Sequence, residues 1–477
     1  MKLKADNFGP IRKLNIDIKP MTILIGKNNL GKSYTAELFY ALLCVLSDLQ
    51  FKAPILTLGE RILLRSVSIS KESEIKKLTI RIRKEKLTDF EIVKELSEMI
   101  INQETQNIQV LLRKWLERIF GIRLSMLINI HSSAAQIEFD MFKDIAFAAT
   151  ITKRKMISVK LTVEKEKIDT YVKDLTPILG KIRQRSRKKI YVEQLADVLR
   201  EKLMAPNKDV EFFGFDFEKR RIHPKAYYIP AGRAGLIESY DTVVEALFFH
   251  AAEGTPAFGF SLPPLSGMAA EFYSVLRSLS GQMGPFGEFT ATLFRELLDG
   301  DIILQGIRLK STQRAVRTRM IYRFRLGEKR SKIDLVHAAS MIKELAPICL
   351  IIRELVNRGQ FLVIEEPESH LHPGAQYKLA SVLARLTKRG VNIFLTTHSP
   401  VMLRRMSHFV GRTSIEKDKT LDFSDVAIYW MKESKYGSVS KILRISKYGT
   451  LDELPTFDDV INELYEEEIA RHKETAD

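Results

Sequence analysis

Three short, mostly apolar runs stand out along the chain: Met21–Ile25, Phe361–Glu365 up to its closing acid, and residues 391–396. A run this short with no polar face suits a strand buried on both sides of a parallel sheet. Each breaks into a polar turn: Gly26 to Ser33 after the first, Glu365-Glu366-Pro367 at the second, Thr397-His398-Ser399-Pro400 after the third. Open α/β sheets gather functional groups beyond the carboxyl ends of their strands. Helical periodicity runs over residues 34–46, from Thr88-Asp89 to about Phe120, and again over 192–203. Residues 38–46 and 345–352 read as buried helices, too short to span a bilayer. Residues 1–6 and 159–163 alternate like strands. No heptad seam is sustained, so long coiled-coil arms are not expected.

The segment Gly26-Lys27-Asn28-Asn29-Leu30-Gly31-Lys32-Ser33 has the spacing of a Walker A phosphate loop, and its strand–loop–helix setting is what that loop needs. Loop amides and the helix start at Tyr34 wrap a polyphosphate, Lys32 reaches the β- and γ-phosphates of ATP, and Ser33 holds Mg²⁺. Glu365 ends the second strand where a Mg²⁺-binding acid belongs, and Glu366 where a general base polarises water. His398 is placed to sense or stabilise the γ-phosphate. The plainer alternatives are a surface turn, solvated acids and a surface histidine. Agreement among the three segments favours the functional reading.

Together these residues resemble the ABC-type ATPase heads of the SMC, RecF and OLD group, nearest to stand-alone prokaryotic OLD-related ATPases. The resemblance rests on Asn7-Phe8-Gly9-Pro10-Ile11, on Ile364 to Pro373, on Thr397 to Pro400, and on Tyr228-Ile229-Pro230-Ala231-Gly232-Arg233-Ala234-Gly235. It covers about residues 1–45 and 225–440. It implies an α/β P-loop NTPase of ABC type, with a mainly parallel sheet, flanking helices and a large, mostly helical insert. The expected division is a discontinuous head (1–50 and 225–440), an inserted lobe (51–224) and an acidic tail (441–477). It also implies a homodimer in which Ser340 of one chain contacts nucleotide held by the other. Met341 stands where that signature usually has glycine. Leu265-Ser266-Gly267 copies signature letters but is expected to be loop. His372 falls where transporter heads carry an aspartate. His370 and His372 beside Glu366 and Glu368 could also be read as a transition-metal cluster. That reading is disfavoured, because an i, i+2 pair is poor helix geometry. No Q-loop glutamine is assigned; Gln50 and Gln136 are guesses.

Composition narrows the partners. Only Cys44 and Cys349 are present, which excludes a disulfide framework and fits a reducing cytoplasm. The N-terminus shows no signal-peptide pattern. Net charge is +16, and residues 51–210 hold 32 Lys+Arg against 21 Asp+Glu. The densest run spans 181–189 with Arg183, Arg185, Arg187, Lys188 and Lys189; a second runs from Arg308 to Arg330. Both suit nucleic-acid phosphates or a solvated face. Residues 457–468 read as an acidic amphipathic helix. The expected function is an ATP-hydrolysing switch controlling a nucleic-acid-directed partner. A separately encoded nuclease or toxin is the implied effector, in phage defence or a toxin–antitoxin system. With 79 residues after His398 to hold the end of the head as well, the nuclease domain that OLD proteins carry is not expected. The alternatives are a RecF-like DNA-repair clamp and, less favoured, a transporter ATPase subunit; no membrane contact is expected.

Overall fold

The computed structural model describes residues 1–50, 81, 88–142, 145–154, 156–164, 226–240, 242–243, 266–308, 315–410, 421–446, 449–451 and 463–469. The chain opens with a hairpin, β1 (Lys2–Phe8) and β2 (Ile11–Asp17), then β3 (Met21–Ile25) and α1 (Lys32–Gln50). Helix α2 (Asp89–Phe120) follows, with β4 (Ala134–Phe142), β5 (Ile145–Thr152), β6 (Ile157–Val163) and β7 (Ala226–Ile229). Next come α3 (Gly267–Arg277), α4 (Gly287–Leu298), β8 (Gly300–Arg308), β9 (Ala315–Leu326), β10 (Lys329–Asp334) and α5 (Ser340–Glu354). The last elements are β11 (Phe361–Glu365), α6 (Pro373–Lys388), β12 (Asn392–Thr396), α7 (Pro400–Ser407), β13 (Val426–Ser434) and β14 (Gly437–Leu443).

Eleven strands form one sheet in the order β6-β5-β4-β1-β2-β14-β13-β3-β12-β11-β7. The block β13-β3-β12-β11-β7 is parallel, as the unbroken apolar runs predict. The far flank β6-β5-β4-β1-β2 is antiparallel throughout. The sheet is therefore mixed rather than mainly parallel. Strands β4 to β6 fall within the lobe expected to be separate, yet 134–163 extend the head sheet through Leu3–Phe139 and Ala5–Ile137 register pairs. The expected boundary at residue 51 does not coincide with an edge of this sheet. Among the described residues of 88–164, one long helix and three strands replace a mostly helical insert.

Why the parallel strands carry no polar face follows from their two-sided burial. In β11, Leu362 and Ile364 enter one core and Phe361 and Val363 the other. The first core collects α3 to α7; the second collects α1 and α2. Helix α2 starts where the capping pattern places it: Thr88 accepts from the Glu91 amide while the Glu91 carboxylate takes the Thr88 N–H. It stops at Gly121, which adopts a left-handed φ of 62°. Ser266-Gly267, expected as loop, instead begins α3, with the Ser266 side chain capping the Ala269 amide. A Cβ on Gly267 would lie 1.6 Å from the Arg118 carbonyl oxygen, so glycine lets α3 seat on α2. A second, three-stranded antiparallel sheet orders β10-β9-β8. Residues 463–469 form an exposed helical turn of the acidic tail. No described helix is long and apolar enough to cross a membrane. The 181–189 basic run and the 192–203 helical pattern lie outside the described residues.

Candidate functional site

Strands β3, β12 and β11 are parallel neighbours, so their carboxyl ends bring Gly26, Thr397 and Glu366 to one edge. The loop after β3 is closed sterically. Gly26 has φ 145° and its Cβ would meet the Met431 carbonyl oxygen at 2.6 Å. Gly31 has φ 82° and its Cβ would meet Ile11 at 2.7 Å. Between them Lys27, Asn28 and Asn29 are exposed and Leu30 is half-buried. Lys32 begins α1 and curls back over the loop, its Nζ donating to the carbonyls of Lys27 at 2.7 Å and Gly26 at 3.0 Å. Burial lowers its pKa to about 8, against the pull of Glu366, Glu368 and Glu365. Ser33 is exposed on the first turn of α1. The Tyr34 ring packs on Phe120 and Phe8, at centroid distances of 5.2 and 6.4 Å.

The acidic side is more buried. Glu365 accepts from the Ala231 amide through Oε2 at 3.3 Å, while its buried Oε1 has no hydrogen-bond partner. Glu37, on α1, is pushed up to about 8 by burial and by the nearby Glu365 charge. Glu366 takes φ 39°, a left-handed conformation costly for a side-chain-bearing residue. Its carboxylate Oε1 lies 3.5 Å from Nε2 of His398. Burial lowers the His398 pKa, with Lys32 in the same direction and Glu366 against it, which favours the neutral imidazole. Glu368 accepts from Thr397 Oγ1 at 2.8 Å and from the His398 amide, which fixes the turn after β12. Burial raises its pKa, and its other oxygen has no hydrogen-bond partner.

The donor set fits a polyphosphate and a divalent cation. A lysine bonded to loop carbonyls sits on a glycine cradle, within electrostatic reach of Glu365, whose buried Oε1 has no hydrogen-bond partner. No group of three or more potential ligands forms a transition-metal cluster among the described residues. His372 caps α6 instead, its Nδ1 accepting from the Gly374 amide at 3.2 Å. Ser340 is exposed as the first residue of α5, and Met341 is half-buried behind it. Gln136 lies exposed in β4 and Gln50 ends α1. Arg233 is fully buried behind the Glu365-Glu366 turn. Its motif is visible in the sequence, but no task follows from the motif. A lone arginine after the apolar strand β7, with a glutamate four residues beyond Ser340, is the available signal.

Two protein families match parts of the chain. Residues 1–222 match the AAA ATPase domain. Residues 295–404 match the family described as "AAA domain, putative AbiEii toxin, Type IV TA system". No curated protein matches. Solved structures similar to it include the SMC head domain from Thermotoga maritima, at 10% identity, over 93% of this chain and 98% of that one, with TM-score 0.35. Another is the Pyrococcus furiosus SMC head bound to the C-terminal domain of ScpA, at 10% identity, 97% and 98% coverage, and TM-score 0.38. A third is the Pyrococcus yayanosii SMC head with a coiled coil and joint, at 11% identity, 94% and 97% coverage, and TM-score 0.38. The structure is an α/β fold with the strand–loop–helix geometry of a phosphate loop, and residues 1–222 and 295–404 are each similar to AAA-type ATPase domains.

Proposed function

We propose that the chain is an ATP-hydrolysing switch of the ABC type that dimerises through shared nucleotide sites. The observation that carries this reading is the convergence of Lys32, Glu365, Glu366 and His398 at the ends of three adjacent parallel strands. Residues 26–34 bind the nucleotide, and Lys32 exchanges its two loop carbonyls for phosphate oxygens. Ser33 and Glu365 hold Mg²⁺, which supplies charge neutralisation along the phosphates. Glu366 accepts the proton of the attacking water, and His398 beside it orients that water or the γ-phosphate. Ser340, exposed on α5, completes the site of a second copy. The experiment is phosphate release from Mg-ATP together with binding of a fluorescent ATP analogue. The wild type binds and turns over, and Lys32→Ala loses binding. A wild type that neither binds nor hydrolyses ATP sinks the reading.

The output is a nucleic-acid-directed partner, and the second sheet offers a surface for it. Arg325 lies directly opposite Arg330, and Arg323 opposite Lys332, across β9 and β10. Like charges in register repel, and a phosphate backbone relieves that repulsion. Asp301 neutralises Arg323 at 2.9 Å, and Asp334 faces Arg319 at 3.8 Å. The family description over 295–404 is compatible with a toxin-type effector. The same basic face supports a RecF-like clamp as the second reading. Duplex-DNA affinity that rises with ATP, with no other protein present, selects it.

A further inference from the structure

The Arg233 side chain is 0% exposed, yet it is bonded almost wholly to main chain. Its Nη1 donates to the carbonyls of Pro230 at 2.8 Å and Glu365 at 2.7 Å. Its Nη2 donates to the Glu366 carbonyl at 3.0 Å. Its Nε donates to the Glu344 carbonyl on α5 at 3.1 Å and pairs with the Glu344 carboxylate at 2.9 Å. Glu344 is 1% exposed, and its other oxygen takes the Ala234 amide at 3.1 Å. One planar fork therefore ties three segments together: the loop after β7, the end of β11, and the helix that begins at Ser340.

The Glu366 conformation needs such a tie. A left-handed non-glycine residue costs of order 1–3 kcal/mol and persists where its surroundings over-determine it. The Glu366 amide is held by the Thr396 carbonyl at 3.0 Å, and its carbonyl by Arg233. Its peptide groups are clamped from both sides, which fixes the direction in which its carboxylate leaves toward His398. The second clamp is anchored on α5, four residues from Ser340.

We infer that Arg233 is a positioning residue that sets the Glu366 backbone and makes it respond to the α5 helix bearing Ser340. The inference rests on the ATPase reading above. The fork geometry is essential to it: a lysine keeps the charge but offers a single point donor and cannot hold the separated carbonyls together. A clamp linking two elements carries coupling through one contiguous hydrogen-bonded network. What α5 meets at Ser340 is thereby conveyed to the group that accepts the proton of the attacking water.

The test uses the full chain with Arg233→Lys and Glu344→Gln. The second variant is nearly isosteric, retains an acceptor for Ala234, and carries the decision should the first fail to fold. Three quantities are read: kcat, the Kd of a fluorescent ATP analogue with Mg²⁺, and amide exchange over 26–33 and 340–346 with and without Mg-ATP. Misplacing a catalytic group by about 1 Å costs on the order of 10²-fold, so kcat should fall about 10–100-fold in Arg233→Lys and in the same direction in Glu344→Gln. The Kd should stay within about threefold, since binding and turnover then separate. Mg-ATP should protect 26–33 in every protein and 340–346 in the wild type alone. Unchanged kcat in the folded variants overturns the inference. So does a joint loss of kcat, affinity and protection at 26–33, which marks a merely structural arginine. A wild type without binding or turnover overturns the ATPase reading first, and is told apart by the missing wild-type signal.

Discussion

The two halves of the eleven-stranded sheet use burial for opposite purposes. On the antiparallel flank, β5 follows the period of two, with Ile145, Phe147, Ala149 and Ile151 buried and the residues between them partly or fully exposed. Phe139 and Phe147 meet edge to face, 5.9 Å apart, within an apolar core. The parallel block is apolar on both faces, yet its carboxyl ends bury Lys32, Glu365 and Arg233, and hold Glu366 in a left-handed conformation. One half is packed for stability. The other places charges where burial is costly and strain is tolerated, the usual mark of a functional edge.

Glu366→Gln should produce the largest separation between the halves. Removing a positioned base costs ~10²–10⁴-fold in rate, while the amide keeps the shape and the backbone contacts. ATP should remain bound and unhydrolysed; near-normal turnover removes Glu366 from the role of base. Phe139→Ala is the mirror experiment. Emptying a fully buried phenylalanine site costs about 3–5 kcal/mol, read as a lower denaturation midpoint. Nucleotide affinity at temperatures where the variant is folded should not change. A Phe139→Ala chain that folds well but binds ATP poorly would show that the flank reaches the site.

A smaller effect is expected on the second sheet, which belongs to neither half. Neutralising Arg325, Arg330 and Lys332 together should flatten the log–log salt dependence of duplex binding, by about 0.9 for each phosphate that these side chains neutralise in the wild type. ATP turnover and stability should both stay near wild type. Absence of wild-type binding at low salt returns these residues to a solvated face.

Much of the parallel block is legible in the sequence because its signals are local. Strand, glycine loop and helix are contiguous, and the Glu365-Glu366 and His398 turns follow apolar runs that admit few other structures. The flank is hidden because its signal is a pairing. Nothing in 134–142 announces that it will lie beside 2–6; alternation marks a strand but not its neighbour. Arg233 is visible as a motif and opaque as a device, since Glu344, Glu365 and Glu366 are 111 to 133 positions away. Ser266 reads as loop because Gly/Pro-rich surroundings outweigh its capping chemistry. The neighbour that requires Gly267 is the carbonyl of Arg118, a contact between helices that no local pattern encodes.

The last comparison is between the site within one chain and the site completed by two. Ser340 is exposed at the start of α5, where a second copy can approach. Ser340→Arg should block ATP-dependent dimerisation, which Glu366→Gln should favour. Met341 in place of glycine weakens the close approach of the backbone, so a partly formed dimer agrees with the proposal. A constitutive contact elsewhere would hide the change in mass, and complementation avoids that problem. On the shared-site proposal, a Lys32→Ala chain lacks a working loop and a Ser340→Arg chain lacks a working signature. In a two-fold dimer of one of each, one composite site carries both defects and the other is intact. Random mixing gives mixed dimers in about half of the population, so about a quarter of all sites are restored. Activity rising from near zero toward that fraction places Ser340 in trans. A mixture as inactive as either variant, with mixed dimers demonstrated by mass, removes Ser340 from the shared site and leaves the chemistry of the parallel block within a single chain.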